Sequence, residues 1–207
     1  MDPAGFPFII TAAALALAGG VMFGWALAVP LALLSGFFAF FFRDPERRPP
    51  AGADRAVLSP ADGRVLVAGA AAADAAPPGT WQQISIFLSP MDVHVNRMPV
   101  SGRVTRVHFI PGRFLPANHR RATTANERSE IWVDHHGEAI VFRQVVGILA
   151  RRVVCRAKVG TDVQAGDRFG IMKFGSRMDL FLPMSATLSV AVGDRVRGGE
   201  TVIAVLH

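Results

Sequence analysis

From Pro3 to Phe42 the chain runs for 40 residues without an Asp, Glu, Lys, Arg or His. At about 1.5 Å per helical residue this run would extend about 60 Å, twice the roughly 30 Å hydrocarbon core of a bilayer. A single straight helix is too long, even when tilted. Two helices folded as a hairpin, or a re-entrant segment, fit, with the break at Gly19-Gly20 or Gly24 and a kink at Pro30. A cleaved signal peptide needs a basic start and a short apolar stretch; this chain opens Met1-Asp2-Pro3 and its apolar run is far too long. A core helix of a soluble protein would place polar residues at helical period, and none appear. Residues 1–42 therefore read as a hydrophobic membrane anchor of one or two helices.

The run stops at Arg43-Asp44-Pro45-Glu46-Arg47-Arg48-Pro49-Pro50. Three arginines directly after a span favour the cytoplasmic side. A two-span hairpin would leave residues 43–207 at the cell membrane, facing the cytoplasm. The single Cys155 rules out an internal disulfide and, in Val153-Val154-Cys155, reads as a packed thiol. Residues 43–207 hold all 22 Lys and Arg but only 15 of the 16 acids, a net charge of +7. A basic domain tethered to a bilayer is drawn to anionic headgroups. Nucleic acid is not an expected partner: the chain has no recognised nucleic-acid motif, no Tyr and no interleaving of aromatic with basic residues.

After Pro50 the pattern changes to short apolar runs punctuated by Gly, Pro and Asp. Val57-Leu58, Arg64–Ala68, Gln83–Leu88, Gly102–Phe109, Glu130–Val133, Ala139–Val146 and Val153–Val159 read as strands. Ala68–Gly79 and Pro111–Thr124 read as loops, the second carrying Arg113, His119, Arg120 and Arg121 over a site. Gly160–Phe169 is echoed 33 residues later by Gly193–Val202, two hairpin units with Gly and Asp at their turns. The expected fold is mainly β, a β-sandwich or flattened barrel with a pattern similar to biotinyl and lipoyl carrier domains, behind an N-terminal helical membrane segment.

Three polar motifs stand out in this β-rich part. Ser59-Pro60-Ala61-Asp62-Gly63 would by itself be a turn before glycine. Asp92-Val93-His94-Val95-Asn96-Arg97-Met98-Pro99, read as a strand, puts Asp92, His94 and Asn96 on one face, and a histidine moves protons in both directions near neutral pH. Met172-Lys173-Phe174-Gly175-Ser176-Arg177-Met178-Asp179 holds a Gly-Ser pair between the two hairpin units. In this order, with Phe41-Phe42-Arg43-Asp44-Pro45 before them and Phe114-Leu115-Pro116-Ala117 between the second and third, they resemble the phosphatidylserine decarboxylase family over nearly the whole chain.

The resemblance implies a proenzyme that cuts itself between Gly175 and Ser176 into a β chain, 1–175, and an α chain, 176–207. Its chemistry suits the residue types. The Ser176 hydroxyl attacks the Gly175 carbonyl, replacing the amide by an ester. Elimination leaves dehydroalanine, and loss of ammonia leaves a pyruvoyl group as the covalent cofactor. That ketone forms a Schiff base with the substrate amine and takes up the electrons released as CO2 departs. The implied reaction converts phosphatidylserine to phosphatidylethanolamine at a phospholipid membrane. His94 is the implied acid–base residue and Asp62 the residue assisting self-processing. Arg113, Arg120 and Arg121 are candidates for the lipid phosphate. A second copy of the chain is a further candidate partner.

One departure stands out. Many bacterial relatives carry His-x-x-His in the second motif; here the second position is Arg97, so a triad built on that histidine cannot operate unchanged. His108, His119, His135 and His136 remain as alternatives. His135-His136 point opposite ways on a strand with no completing ligands, so no metal is expected. Three other readings stay open. Ile171-Met172-Lys173-Phe174 is faintly similar to the hairpin of a biotin carrier modified at Lys173. A membrane-anchored adaptor would need a long coiled-coil hairpin, which is lacking. An ether-type serine phospholipid would serve the same chemistry.

Overall fold

The computed structural model describes residues 1–51, 54–119, 121–148, 153–173 and 176–207. They form two compact units, Met1–Glu46 and Arg47–His207. The first is a helical hairpin. Asp2 accepts the Ala4 N–H at 2.9 Å and starts the chain; α1 (Phe6–Phe23) and α2 (Trp25–Phe41) then run antiparallel. Phe8 meets the Phe38 and Phe42 rings at 5.5 Å, and the Ser35 hydroxyl donates to the Ile9 carbonyl at 3.0 Å. The chain reverses at Gly24, whose φ of +78° suits glycine. Among the described residues, Pro3–Phe23 is long and apolar enough to cross a membrane, while α2 has 17 residues with Pro30 inside it. Leu17, Val21 and Trp25 are 74–82% exposed. So much uncovered apolar surface requires a lipid surrounding, and the hairpin associates the protein with a membrane.

The second unit is predominantly β. Its strands are β1 (Ala56–Leu58), β2 (Gly63–Ala70), β3 (Gln82–Leu88), β4 (Val95–Arg97), β5 (Gly102–Ile110), β6 (Arg128–His135), β7 (Glu138–Val145), β8 (Val153–Cys155), β9 (Asp162–Val163), β10 (Arg168–Met172), β11 (Ser176–Leu182), β12 (Thr187–Leu188), β13 (Arg195–Val196) and β14 (Val202–Val205). One short helix, α3 (Ala122–Ala125), precedes β6. An eight-stranded antiparallel sheet, β13-β2-β3-β11-β7-β6-β5-β9, curls as a half-barrel. Two three-stranded sheets, β4-β10-β8 and β1-β14-β12, complete the unit.

Period-two alternation sorts the large sheet into an apolar and a polar face. Ile84, Ile86 and Leu88 of β3, Met178, Leu180 and Leu182 of β11, and Ile140 and Phe142 of β7 belong to one core cluster. Phe169 of β10 closes onto Phe142 edge-on at 5.1 Å. The intervening residues Gln83, Ser85, Arg143, Arg177 and Asp179 are also buried, on the opposite face.

Sequence expectation and structure differ in several places. The central strand β11, with β10 and β14, lies beyond the strands expected, and β2 runs two residues into the loop expected from Ala68. The strand expected over Val153–Val159 stops at Cys155. The loop expected to Thr124 already enters α3 at Ala122. The strand expected to carry Asp92, His94 and Asn96 on one face begins only at Val95. Ser89–Asp92 is instead a turn: Asp92 N–H donates to the Ser89 carbonyl at 2.9 Å, and the Asp92 carboxylate accepts the Ser89 N–H at 2.8 Å. That local bond competes with ladder formation. The 33-residue echo is conformational: Gly160 and Gly193, then Gly166 and Gly199, all adopt positive φ.

Candidate active site

Three neighbouring strands change sheet at one place. The order β3-β11-β7 in the large sheet is repeated as β4-β10-β8 in the small one. Each member continues its counterpart along the chain: β3 leads into β4, β7 into β8, and β10 into β11. Such corners form where strands bend from one sheet into another. On one side Ser176 pairs with Leu88 and Arg177 with Val145. On the other, Ile171 pairs with Val95 and Met172 with Val153. Met172, the last residue of β10, and Ser176, the first of β11, therefore flank the corner. Beyond Lys173 the stretch between them, Gly175 included, lies outside the described residues.

Ser176 opens β11 fully buried, and its hydroxyl has no hydrogen-bond partner among the described residues. A buried hydroxyl without a partner costs about 1–3 kcal/mol, so this serine is poorly explained as a packing residue. His94 is also fully buried. Its carbonyl accepts the Met172 N–H at 3.2 Å, which fastens it to the strand leading into the Gly-Ser segment. Its Nδ1 lies 2.9 Å from the Asp92 carbonyl. A carbonyl only accepts, so this contact assigns the proton to Nδ1 and leaves Nε2 as the basic nitrogen. Beneath the corner, Gln144 Nε2 donates to Asn96 Oδ1 at 2.8 Å, a fully buried amide pair.

Asp62 is held by two partners. One carboxylate oxygen accepts the Gly198 N–H at 2.7 Å and the other the Arg47 guanidinium at 2.8 Å. Arg47 also reaches Glu200 at 2.8 Å. Burial pushes the Asp62 carboxyl above its ordinary value; Gly198 and Arg47 oppose the rise and Asp92 adds to it. Both oxygens are thus occupied by residues other than Ser176 and His94. The motif still belongs to this end of the unit, because the Pro60 carbonyl accepts the Arg97 N–H at 2.9 Å. Arg97, at the second-histidine position, is buried and donates to the Gly166 carbonyl at 3.0 Å.

The remaining histidines are elsewhere. His135 and His136 sit at the β6–β7 turn, the end of β7 away from the corner; His135 Nδ1 contacts the Ser101 carbonyl at 2.7 Å. His108 is exposed on β5, and His119 is exposed in the segment before α3. Among the described residues no group of His, Cys, Asp and Glu is arranged to hold a metal ion. Lys173 is half-buried where the chain crosses between sheets; β10 and β11 do not pair with each other, so it is not on a carrier-type hairpin. Of the three candidate arginines, Arg121 lines a cavity over β2, β3 and β11. Arg113 is instead exposed, with its backbone bridged to Asn126, and Arg120 lies outside the described residues.

Sequence reasoning missed Arg47, the Asn96–Gln144 pair and the charges on the polar face of β11. Arg177 Nε donates to Asp179 at 2.6 Å and its Nη2 to the Ser85 hydroxyl at 2.7 Å. The available signal was an Arg-x-Asp pair inside Ser176–Leu182, a strand otherwise apolar after its first residue.

A buried serine without a described partner, opening a strand at a sheet-switching corner fastened to a buried histidine, fits the class of β proenzymes that process themselves at a serine. The comparisons narrow the class. Residues 34–204 match the family model described as phosphatidylserine decarboxylase. Phosphatidylserine decarboxylase proenzymes are similar over most of their lengths: 46% identity with that of Pelodictyon phaeoclathratiforme (87% of this chain, 85% of the relative), 41% with that of Nitrosomonas europaea (98% and 94%), and 43% with that of Gluconacetobacter diazotrophicus (99% and 93%). The chain belongs to the phosphatidylserine decarboxylase family, carboxy-lyases that act through a pyruvoyl group generated by autocatalytic cleavage.

Proposed function

We propose that this protein decarboxylates phosphatidylserine to phosphatidylethanolamine after cutting itself between Gly175 and Ser176. The observation that carries the reading is the position of Ser176, buried at the head of the central corner strand in a chain whose family match spans the corner. Residue 176 fits the cofactor: a serine hydroxyl without a described partner is the group that self-cleavage consumes. The pyruvoyl ketone, once formed, supplies an electrophile for the substrate amine and a sink for the electrons left as CO2 departs.

The chain's own residues do the rest. His94, with its proton on Nδ1, offers Nε2 to accept the Ser176 proton in maturation and to return a proton to the substrate carbon in turnover. Asp62 contributes to self-processing by fixing the 198–200 turn of the α chain against Arg47. Arg113, Arg120 and Arg121 attract the lipid phosphate. The hairpin at residues 1–42 tethers residues 43–207 to the membrane on its cytoplasmic side, where the headgroups lie.

Intact mass spectrometry of wild-type protein beside Ser176→Ala tests the reading. Two fragments split after Gly175, with a blocked α chain absent from the variant, and CO2 release from phosphatidylserine only by wild type, are the expected results. A single uncut wild-type chain would refute it.

A further inference from the structure

The polar face of the large sheet carries more charge than folding needs. Arg177 and Asp179 are 4% and 0% exposed, two positions apart on a central strand. Replacing such a buried pair by apolar residues is often neutral or stabilising, so its presence points to another use. Beside it lies a half-open cavity of about 880 Å³, lined from β2, β3, β11, the turn after β2, Asn118, His119, Arg121 and the start of α3. Arg177 and Gln83 from the sheet, and Arg121 and Thr123 from outside it, are among the lining residues. Thr123 is 2% exposed, and its hydroxyl has no hydrogen-bond partner among the described residues. Leu66, Val67 and Ala70 make an apolar flank.

Building on the decarboxylase reading, we infer that this cavity binds the phosphodiester of the lipid headgroup, with Arg177 and Thr123 as its inner donors. The spacing supports a phosphate. Arg177 follows the reacting residue directly, with Cα atoms about 3.8 Å apart. In a serine phospholipid only one methylene and one ester oxygen separate the amine-bearing carbon from phosphorus. Arg177 points to the opposite face from the Ser176 side chain, yet the main chain of residue 176 lies in the sheet, between the two faces. A guanidinium on the substrate carboxylate would stabilise the ground state and oppose loss of CO2; on the phosphate it positions without that cost. Asp179 and Ser85 hold the guanidinium in place, so little side-chain entropy is lost on binding. Exposed Asp74 on the rim makes the lining mixed in charge, which suits a singly charged diester better than the inorganic phosphate dianion.

The test uses the uncut Ser176→Ala protein in detergent, so that no chemistry intervenes, and phosphorus NMR titration with glycerophosphoethanolamine, a soluble phosphodiester headgroup. Saturable binding is expected. Thr123→Val and Arg177→Lys, each added singly, should weaken it about tenfold or more, as for loss of a hydrogen bond to a charged group. Thr123→Val should not lower the melting temperature, since it removes a hydroxyl with no described partner. Inorganic phosphate should compete poorly. No saturable binding, an affinity in either variant equal to that of the Ser176→Ala parent, or a preference for inorganic phosphate would each overturn the assignment. CO2 release by wild type is measured in parallel. Its absence with headgroup binding intact sinks the decarboxylase reading alone; its presence with failed binding predictions sinks only the phosphate site.

Discussion

Arg47→Met removes one cation from two carboxylates at once. Side-chain exposure is 10% for Arg47, 16% for Asp62 and 32% for Glu200. Deleting one partner of a fully buried pair costs about 3–5 kcal/mol, while an exposed pair contributes about 0–1. Asp62 lies near the first limit and Glu200 nearer the second, which gives a loss of about 2–3 kcal/mol for the single substitution. Burial already raises the Asp62 pKa against the pull of Arg47, so the pair is stabilising only relative to its broken halves. Arg47→Met with Asp62→Asn should therefore recover much of the loss, with a coupling of about 1–2 kcal/mol. Thermal unfolding in the Ser176→Ala background, where no cleavage intervenes, reads this as a melting temperature lowered by about 4–12 °C, at about 2–4 °C per kcal/mol. Additive single effects, or a loss under about 1 °C for Arg47→Met, would refute the electrostatic account. Arg47→Met made in the wild-type background separates strut from chemistry: an unchanged melting temperature with abolished cleavage would place the Asp62 cluster in the reaction itself.

The pH dependence of the same cluster has a definite sign. The folded-state pKa of Asp62 is raised above the ordinary 3.8, so its contribution to stability is complete below that value and is lost as pH rises through the folded pKa. Wild-type stability relative to Asp62→Asn should fall as pH increases across that window; the opposite slope in a melting series would contradict the burial argument. Phe142→Ala opens the core beneath the corner and should cost about 3–5 kcal/mol by urea titration; a loss below about 1 kcal/mol would show that Phe169 and its neighbours collapse into the space. Cys155, whose thiol is pushed up by burial, should alkylate slowly at neutral pH until the unit unfolds, as mass-monitored labelling would show; labelling at the rate of a free thiol would count against packing of β8. The proposed α chain, 176–207, would include β11, hydrogen-bonded to β3 and β7 on its two sides, and should co-purify with the β chain until denaturant is added; separation in native buffer would contradict this topology.

The parts of this molecule that were legible in sequence are those set by solvent and by local period. A charge-free run of 40 residues forces a lipid environment whatever surrounds it, and alternating apolar runs from Gln83 to Val145 announced strands that recur with bounds shifted by one or two residues. Asp92 shows where that reasoning runs out. The alternation put it in a strand with His94, but a four-residue turn closed by its own carboxylate takes it out, a choice that depends on a bond and not on hydrophobicity. Asp62 shows a second limit. Its motif marked it for self-processing, yet its partners Arg47 and Gly198 lie 15 and 136 positions away, and no local pattern encodes such a meeting. The corner is a third case. The order β3-β11-β7 becomes β4-β10-β8 only when three chain segments distant in sequence bend together, so the burial of Ser176 is a property of topology. The Gly-Ser pair is the proposed seat of the chemistry, but the sheet crossing puts residue 176 where water is excluded, His94 is fastened nearby, and the next residue, Arg177, faces the polar side of the sheet. A serine in a surface turn would have the same sequence signature and none of these three conditions.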